Sequence, residues 1–398
     1  MENYGIFKQL MGDNHYVSLA KSLNSAVSTK KTLATMKRIT KKEIVYSHMG
    51  QLVIKDRICY STFLQNTGSD GEDHHSVTSG VVLAIFSLDR IMSDDFDVDK
   101  DIEFYPVGKK GDTCAGYNSI SIFKDNSMCL VGNKMYVCFS FTAEDGKSHI
   151  FRKTFDICKK EWVEEVAVEL EYKGKKYSFT DETLNIVYTD KGLEPRAKGL
   201  IELVSAWSEY KGEYYATGIA IERPNNGFIV KTTDFKTMTL VDAVPFNDMG
   251  TAEIGSYIYK GMLFVACRQF YGIPYMYIGF YDLEAGQWKH HYKMADANSR
   301  PWFFVYKEQL YLMNSVEEVF RGYTNISRIK TFDHDVFKNK VPIETLATLR
   351  DIGMYQATAE YDGEVYFVCS KNTESFGKLC LELHNPDEVN EKFIELFK

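Results

Sequence analysis

One unit, a strand, a tight turn and a second strand, recurs six times along the chain and constrains the fold more than any other feature. The copies read QLVIKDRICYSTF, SMCLVGNKMYVCFSF, AWSEYKGEYYATGIA, SYIYKGMLFVACR, FFVYKEQLYLMNS and AEYDGEVYFVCS. Each alternates apolar residues, passes through a turn pair, and continues into a strand rich in Tyr, Val, Phe and Cys. The turn pairs are Lys55-Asp56, Gly132-Asn133, Lys211-Gly212, Lys260-Gly261, Lys307-Glu308 and Asp362-Gly363. Gly, Asn and Asp suit the positive φ of tight hairpins; Lys307-Glu308 is placed as a turn by analogy with the other five.

A third strand follows each hairpin and ends at an acidic or amide residue: Asp89, Asp156, Asp234, Asp282, Asp333 and Asn385. In five copies this residue lies roughly 21 to 25 positions after the turn. The first copy is longer because of the insertion NTGSDGEDHHSVTSG. Aromatic-rich strands at this spacing, with no helical period between them, are what a radial array of four-stranded blades requires. The expectation is an all-β, six-bladed β-propeller over 43–398, preceded by a short helical, basic arm over 1–42. A β-sandwich is the competing arrangement. Five or seven blades remain open if a degenerate copy lies near 90–118 or 165–200.

Composition narrows the function classes. The chain of 398 residues is 44% hydrophobic and 14% aromatic, ample for a packed core. A net charge of −8 argues against a nucleic-acid-binding body, because phosphate contacts need a basic face. No apolar run approaches the length of about 18 residues needed to cross a bilayer. Cys59, Cys129, Cys138, Cys267, Cys369 and Cys380 lie in strand-like runs, and none forms a CxxC pair, so neither a disulfide framework nor a zinc site is expected. No cofactor is implied. The N-terminal stretch MENYGIFKQLMGDNHYVSLAKS lacks the pattern of a signal peptide, which points to a reducing compartment or an intracellularly assembled particle.

Within 13–40, Tyr16, Leu19, Ala20, Leu23 and Val27 fall at helical spacing, with Asp13 or Asn14 as the N-cap, and Lys30, Lys31, Lys37, Arg38, Lys41 and Lys42 make the segment basic. It reads as a solvated helix on the propeller's side or as an arm docking a protein partner. The ending DEVNEKFIELFK suggests a short amphipathic helix.

In a propeller the innermost strands surround the axis, and their leading ends ring one mouth of the channel. Counting eight residues back from the second turn residue gives His48, Asp125, Val204, Glu253, Arg300 and Tyr355. Five are polar or ionisable at the head of apolar strands, and convergent charge at a concave mouth is the default ligand-site hypothesis. Mutually satisfied pairs such as Glu253–Arg300 are the plainer alternative. His74 and His75 sit adjacent on a loop and read as solvated rather than as metal ligands. Trp207, Tyr271 and Trp302 lie near strand ends, where an aromatic ring either stacks on a sugar or packs on the core.

Three stretches resemble the sialidase superfamily. GTAEIGSYIYKGMLFVACRQ resembles its segment with a glutamate before a hairpin that ends in arginine, RGYTNISRIKTFD the segment holding a second arginine, and GMYQATAEYDGEVYFVCS the segment with the nucleophilic tyrosine. YDLEAGQW and FDICKKEW are partial echoes of that family's Asp-box, the bacterial-neuraminidase repeat. The resemblance implies Tyr355 as nucleophile, Glu253 as the base that takes the phenol proton, and Arg268 and Arg321 as carboxylate-binding arginines. Asp70 or Asp73 in the first-repeat insertion would be the general acid. The chemistry is coherent: a guanidinium fork matches a carboxylate, and a neutral phenol with an adjacent base attacks an anomeric centre that already bears negative charge.

The family's Arg-Ile-Pro opening is replaced here by Tyr46-Ser47-His48-Met49. The first arginine is therefore missing; Arg300 is a partial substitute from its place on the ring, and Asp125 is a further ring residue for substrate binding. His48 near neutral pH can act as acid or base, so a uronic acid or other acidic sugar is as plausible a ligand as sialic acid. Three readings follow: a glycosidase acting on an acidic sugar, a non-catalytic propeller binding a glycan or protein, and a structural or adhesion component of a larger particle such as a phage tail.

Overall fold

In the computed structural model, residues 36–67, 77–192, 200–220, 227–245, 251–269, 275–295, 299–316, 323–329, 343–350, 353–371 and 373–379 are described. The chain is a β-propeller. Its described strands form five four-stranded antiparallel sheets, one seven-stranded sheet and a small two-stranded ribbon. Each sequence repeat supplies the first two strands of one large sheet, and in the four sheets other than the third and sixth the strands follow one another outward from the axis in chain order.

The innermost strands are Tyr46–Lys55, Lys124–Val131, the split pair Ile201–Leu203 and Ser208–Tyr210, then Thr251–Tyr259, Trp302–Tyr306 and Met354–Tyr361. The third sheet departs from the pattern. Its outer strand Thr237–Ala243 is extended by a parallel strand, Glu169–Tyr172, and that strand's hairpin partner Lys175–Ser178. The helix Asp181–Asp190, capped by Thr180, completes this insertion and buries Leu184, Val187 and Tyr188.

Alternation along the strands builds the radial packing. In the first sheet Cys59, Phe63, Val82 and Ala84 face the sixth sheet, whereas Tyr60, Leu64, Val81 and Leu83 face the second. Both faces are therefore buried, as period-2 side chains between two stacked sheets must be. Apolar clusters join the sheets in chain order and close the circle between the sixth and the first. Between the first and second sheets Phe123, Phe139, Phe141 and Phe151 form an aromatic pile with neighbouring centroids 4.0–4.9 Å apart.

All six hairpin turns are present, with positive φ at both central positions wherever the first is not glycine; Lys307-Glu308, at 45° and 60°, is one of them. The first turn differs from expectation. Lys55 pairs with Ile58, so the turn is Asp56-Arg57, one residue later than read from the sequence. Arginine at positive φ is uncommon, and here the Arg57 side chain is bound by Asp89.

The N-terminal boundary also changes. Lys37–Arg38 is a strand that pairs with Thr373–Leu379 and completes the sixth sheet, so this part of the expected helical arm belongs to the propeller. Residues 1–35 and the C-terminal helix expected near 387–398 lie outside the described residues. The described cysteines are free and buried, apart from exposed Cys158. Among the described residues no helix is long and apolar enough to cross a membrane.

Candidate functional site

Four innermost strands carry the same irregularity near their leading ends, a β-bulge that sets two residues against one on the neighbouring strand. The bulged pairs are Met49-Gly50, Asp125-Asn126, Ala252-Glu253 and Tyr355-Gln356. A bulge bends its strand and re-aims its side chains. Repeated around an axis, it turns four pairs of residues toward one region.

With the first turn at Asp56-Arg57, the ring position in the first sheet is Met49, and His48 precedes it. Met49 and Tyr355 occupy the first bulge position with φ of 62° and 56°. This is a backbone region that suits glycine and costs other residues about 1–2 kcal/mol. His48 is buried, and its imidazole meets the Tyr355 ring edge-on at 5.2 Å.

Hydrogen bonds link the sheets around this ring. Gln51 Nε2 donates to Asn126 O at 2.9 Å, joining the first and second sheets. Trp207 Nε1 donates to Ser127 Oγ at 3.0 Å and Thr217 Oγ1 to Ser256 Oγ at 3.1 Å, joining the second to the third and the third to the fourth. Gln356 Nε2 donates to Thr324 Oγ1 at 2.6 Å between the sixth and fifth, and Glu374 N to Ser47 Oγ at 2.5 Å between the sixth and first.

Arg300 is the hub. It is wholly buried, with its guanidinium over the Trp302 ring at 4.9 Å. Nη2 donates to Gly50 O at 2.8 Å and, at longer range, to Tyr355 O and Gln356 O, while Nη1 donates to Val204 O at 3.3 Å. One side chain from the head of the fifth sheet thus ties the first, third and sixth sheets. Burial lowers its pKa, opposed by the charges of Asp125, Glu253 and Glu374. Trp302 is itself buried, its indole N–H on Thr358 Oγ1 at 3.1 Å.

Glu253 and Arg268 lie opposite each other at the fourth-sheet bulge and form an ion pair of 3.0 Å, each side chain 13% exposed. The pairing foreseen for Glu253 with Arg300 is therefore made with Arg268. Asp125 shares a hydrogen bond with Glu202, which burial above all, and Asp125 next, push well above the ordinary carboxylate range. Glu374 is wholly buried beside Gly50; Ser370 Oγ donates to its Oε2 at 2.7 Å, and burial raises its pKa to about 7. A Cβ on Gly50 would lie 2.0 Å from Glu374 Oε1, so a larger residue there would have to displace the buried carboxylate.

The structure thus brings His48, Asp125, Glu253, Arg268, Arg300 and Tyr355 to one end of the axis. Arg321, Asp70, Asp73, His74, His75 and Tyr271 lie outside the described residues. Glu202 and Glu374 escaped the sequence reading. The signal for Glu202 was a lone acid inside the apolar run GLIELVSA; Glu374, in a third strand, carried none.

Neither a family model nor a curated protein sequence matches the chain. Solved structures do. The Hadza microbial sialidase Hz136 superposes with a TM-score of 0.63 at 11% identity, over 88% of this chain and 69% of its own. The chain has the sialidase propeller fold. Trypanosoma rangeli sialidase in complex with sialic acid gives 0.57 at 11% identity, over 92% of this chain and 61% of the sialidase, so this chain spans about three fifths of that protein. A protein of unknown function from Dyadobacter fermentans gives 0.58 at 12% identity and is covered over 99% of its length. At these identities the relationship to the sialidases is divergent, and the likeness is one of fold.

Proposed function

We propose that this chain is a carbohydrate-active, six-bladed propeller of sialidase type that binds an acidic sugar over the axial mouth and cleaves its glycosidic bond. Tyr355 carries the reading: a bulky phenol in a bulge position suited to glycine, at the axis, beside His48. Strain held at one position is a reason to look for function there. In this reading the phenol oxygen attacks the anomeric carbon as the glycosidic C–O bond breaks, and its proton passes to a neighbouring base, Glu253 or His48. The leaving oxygen takes a proton from an acid, assigned to Asp73. Arg268, oriented by Glu253, faces the sugar carboxylate together with Arg321, while Asp125 accepts from a sugar hydroxyl. Arg300 acts by holding the ring rather than by touching the ligand, since it is wholly buried and both Nη groups donate to main-chain carbonyls.

A second reading, an acidic-glycan-binding propeller without turnover, is favoured by two features of the axis: Glu253 is held by Arg268, and Tyr355 is only 5% exposed. One experiment separates the two. Fluorogenic sialosides and uronides are assayed with the wild type and Tyr355→Phe, with binding followed by calorimetry. The glycosidase reading expects turnover to fall by about 100-fold or more in the variant, with folding and binding retained. Acidic-sugar binding without turnover in the wild type selects the second reading, and no binding of either class sinks both.

A further inference from the structure

A cavity of about 280 Å³ opens at the mouth end of the first sheet, away from the bulge ring. Its walls come from strand ends: Gln65 closes the second strand, Gly80 opens the third, and Pro106 to Lys109 end the fourth. Val82 and Pro106 make an apolar floor. Lys109 and Asp112, of opposite sign, stand together at the rim, with Lys109 N donating to Asp112 Oδ2 at 3.1 Å.

Gln65 gives the cavity its chemistry. Its Oε1 is buried and has no hydrogen-bond partner among the described residues. The register explains why. Gln65 lies directly across from Ser47 on one side and Gly80 on the other. Residues paired across strands share a face, so these two would ordinarily satisfy it. Ser47 Oγ accepts from Glu374 N and makes no hydrogen bond to Gln65 Oε1, and Gly80 has no side chain. A buried carbonyl in that position costs stability unless a donor reaches it.

We propose that this cavity is a second binding site, taking a neutral, monosaccharide-sized ligand that donates a hydroxyl or amide hydrogen to Gln65 Oε1 and lays its apolar face on Val82 and Pro106. Neutrality follows from a rim that carries one basic and one acidic residue, Lys109 and Asp112, and size from the volume, close to the lower bound for small-ligand pockets of roughly 300 Å³. The site stands independently of the glycosidase reading, because none of its residues belongs to the axial ring.

The test uses the full chain with methyl glucoside, methyl galactoside and N-acetylglucosamine as probes, read by saturation-transfer NMR and thermal shift. At least one probe should bind the wild type, and binding should persist in Tyr355→Phe. Gln65→Leu should weaken it about 5-fold or more, the loss of one hydrogen bond, while the unliganded variant melts no lower than wild type. Gln65→Met should do the same and guards against a misfolded leucine variant. The proposal is overturned if no probe binds, if both variants bind as well as wild type, or if both melt markedly lower unliganded, which would make Gln65 a structural residue.

Discussion

Two buried carboxyls set the behaviour of the axis at the scale of single residues. Glu374 is wholly buried, and its pKa of about 7 stands above the ordinary value of 4.5. Below pH 4.5 the group is protonated folded and unfolded. From there to about 7 the unfolded chain ionises while the folded one keeps its proton. Stability therefore falls as pH rises across that window, by about 3 kcal/mol, and levels off above it. Glu374→Gln should flatten most of this slope and melt higher than wild type at pH 8, as followed by urea unfolding from pH 4.5 to 8. An unchanged slope would mean that another group titrates there. Glu202 adds a slope of the same sign, since burial raises it too, and that share should survive in the variant.

At the scale of elements, the turn between the third and fourth strands is built on one aspartate. Asp156 accepts from the main-chain N–H groups of Cys158 and Lys159, Asp234 from Lys236 and Thr237, and Asp282 from Glu284 and Ala285. The side chain mimics a backbone turn, which is why an acid recurs at this point of the repeat. Asp89 is the exception: its strand ends at Ser87, and Asp89 sits in the short helix Leu88–Ile91 in an exposed ion pair with Arg57. Asp234→Ala and Asp282→Ala should each cost about 1 kcal/mol, as lost caps do. Asp89→Ala should cost clearly less, because exposed pairs contribute little; equal losses in the three variants would remove the distinction. The bulges are a second recurring element, and no composition cue marks them: Met49-Gly50, Asp125-Asn126, Ala252-Glu253 and Tyr355-Gln356 share no residue type.

At the scale of the whole molecule, the circle is closed by chain ends. Lys37–Arg38 adds the outer strand of the sixth sheet, Ile39 N donates to Glu374 O at 3.0 Å, and the Ile39 side chain is fully buried. A chain lacking residues 1–39 should be less stable than one lacking 1–35 by about 2–4 kcal/mol, from one buried isoleucine and the lost ladder bonds. Equal melting temperatures would show that closure does not depend on this strand.

Repeats, hairpin turns and turn-capping aspartates were legible along the chain because each depends on residues a few positions apart: alternation puts side chains on two faces, and turn residues meet a local φ. The ring at the mouth was legible only approximately. A misplaced first turn put His48 where Met49 stands, and the bulge in the fourth sheet shifts its register by one residue relative to the others. Which partners meet was decided by tertiary structure alone. Arg300 finds carbonyls from three other sheets, Glu202 finds Asp125, and Glu374 finds Gly50 across the closing seam. These contacts join residues far apart in the chain, and their protonation follows from burial, which exists only once the circle of sheets has closed.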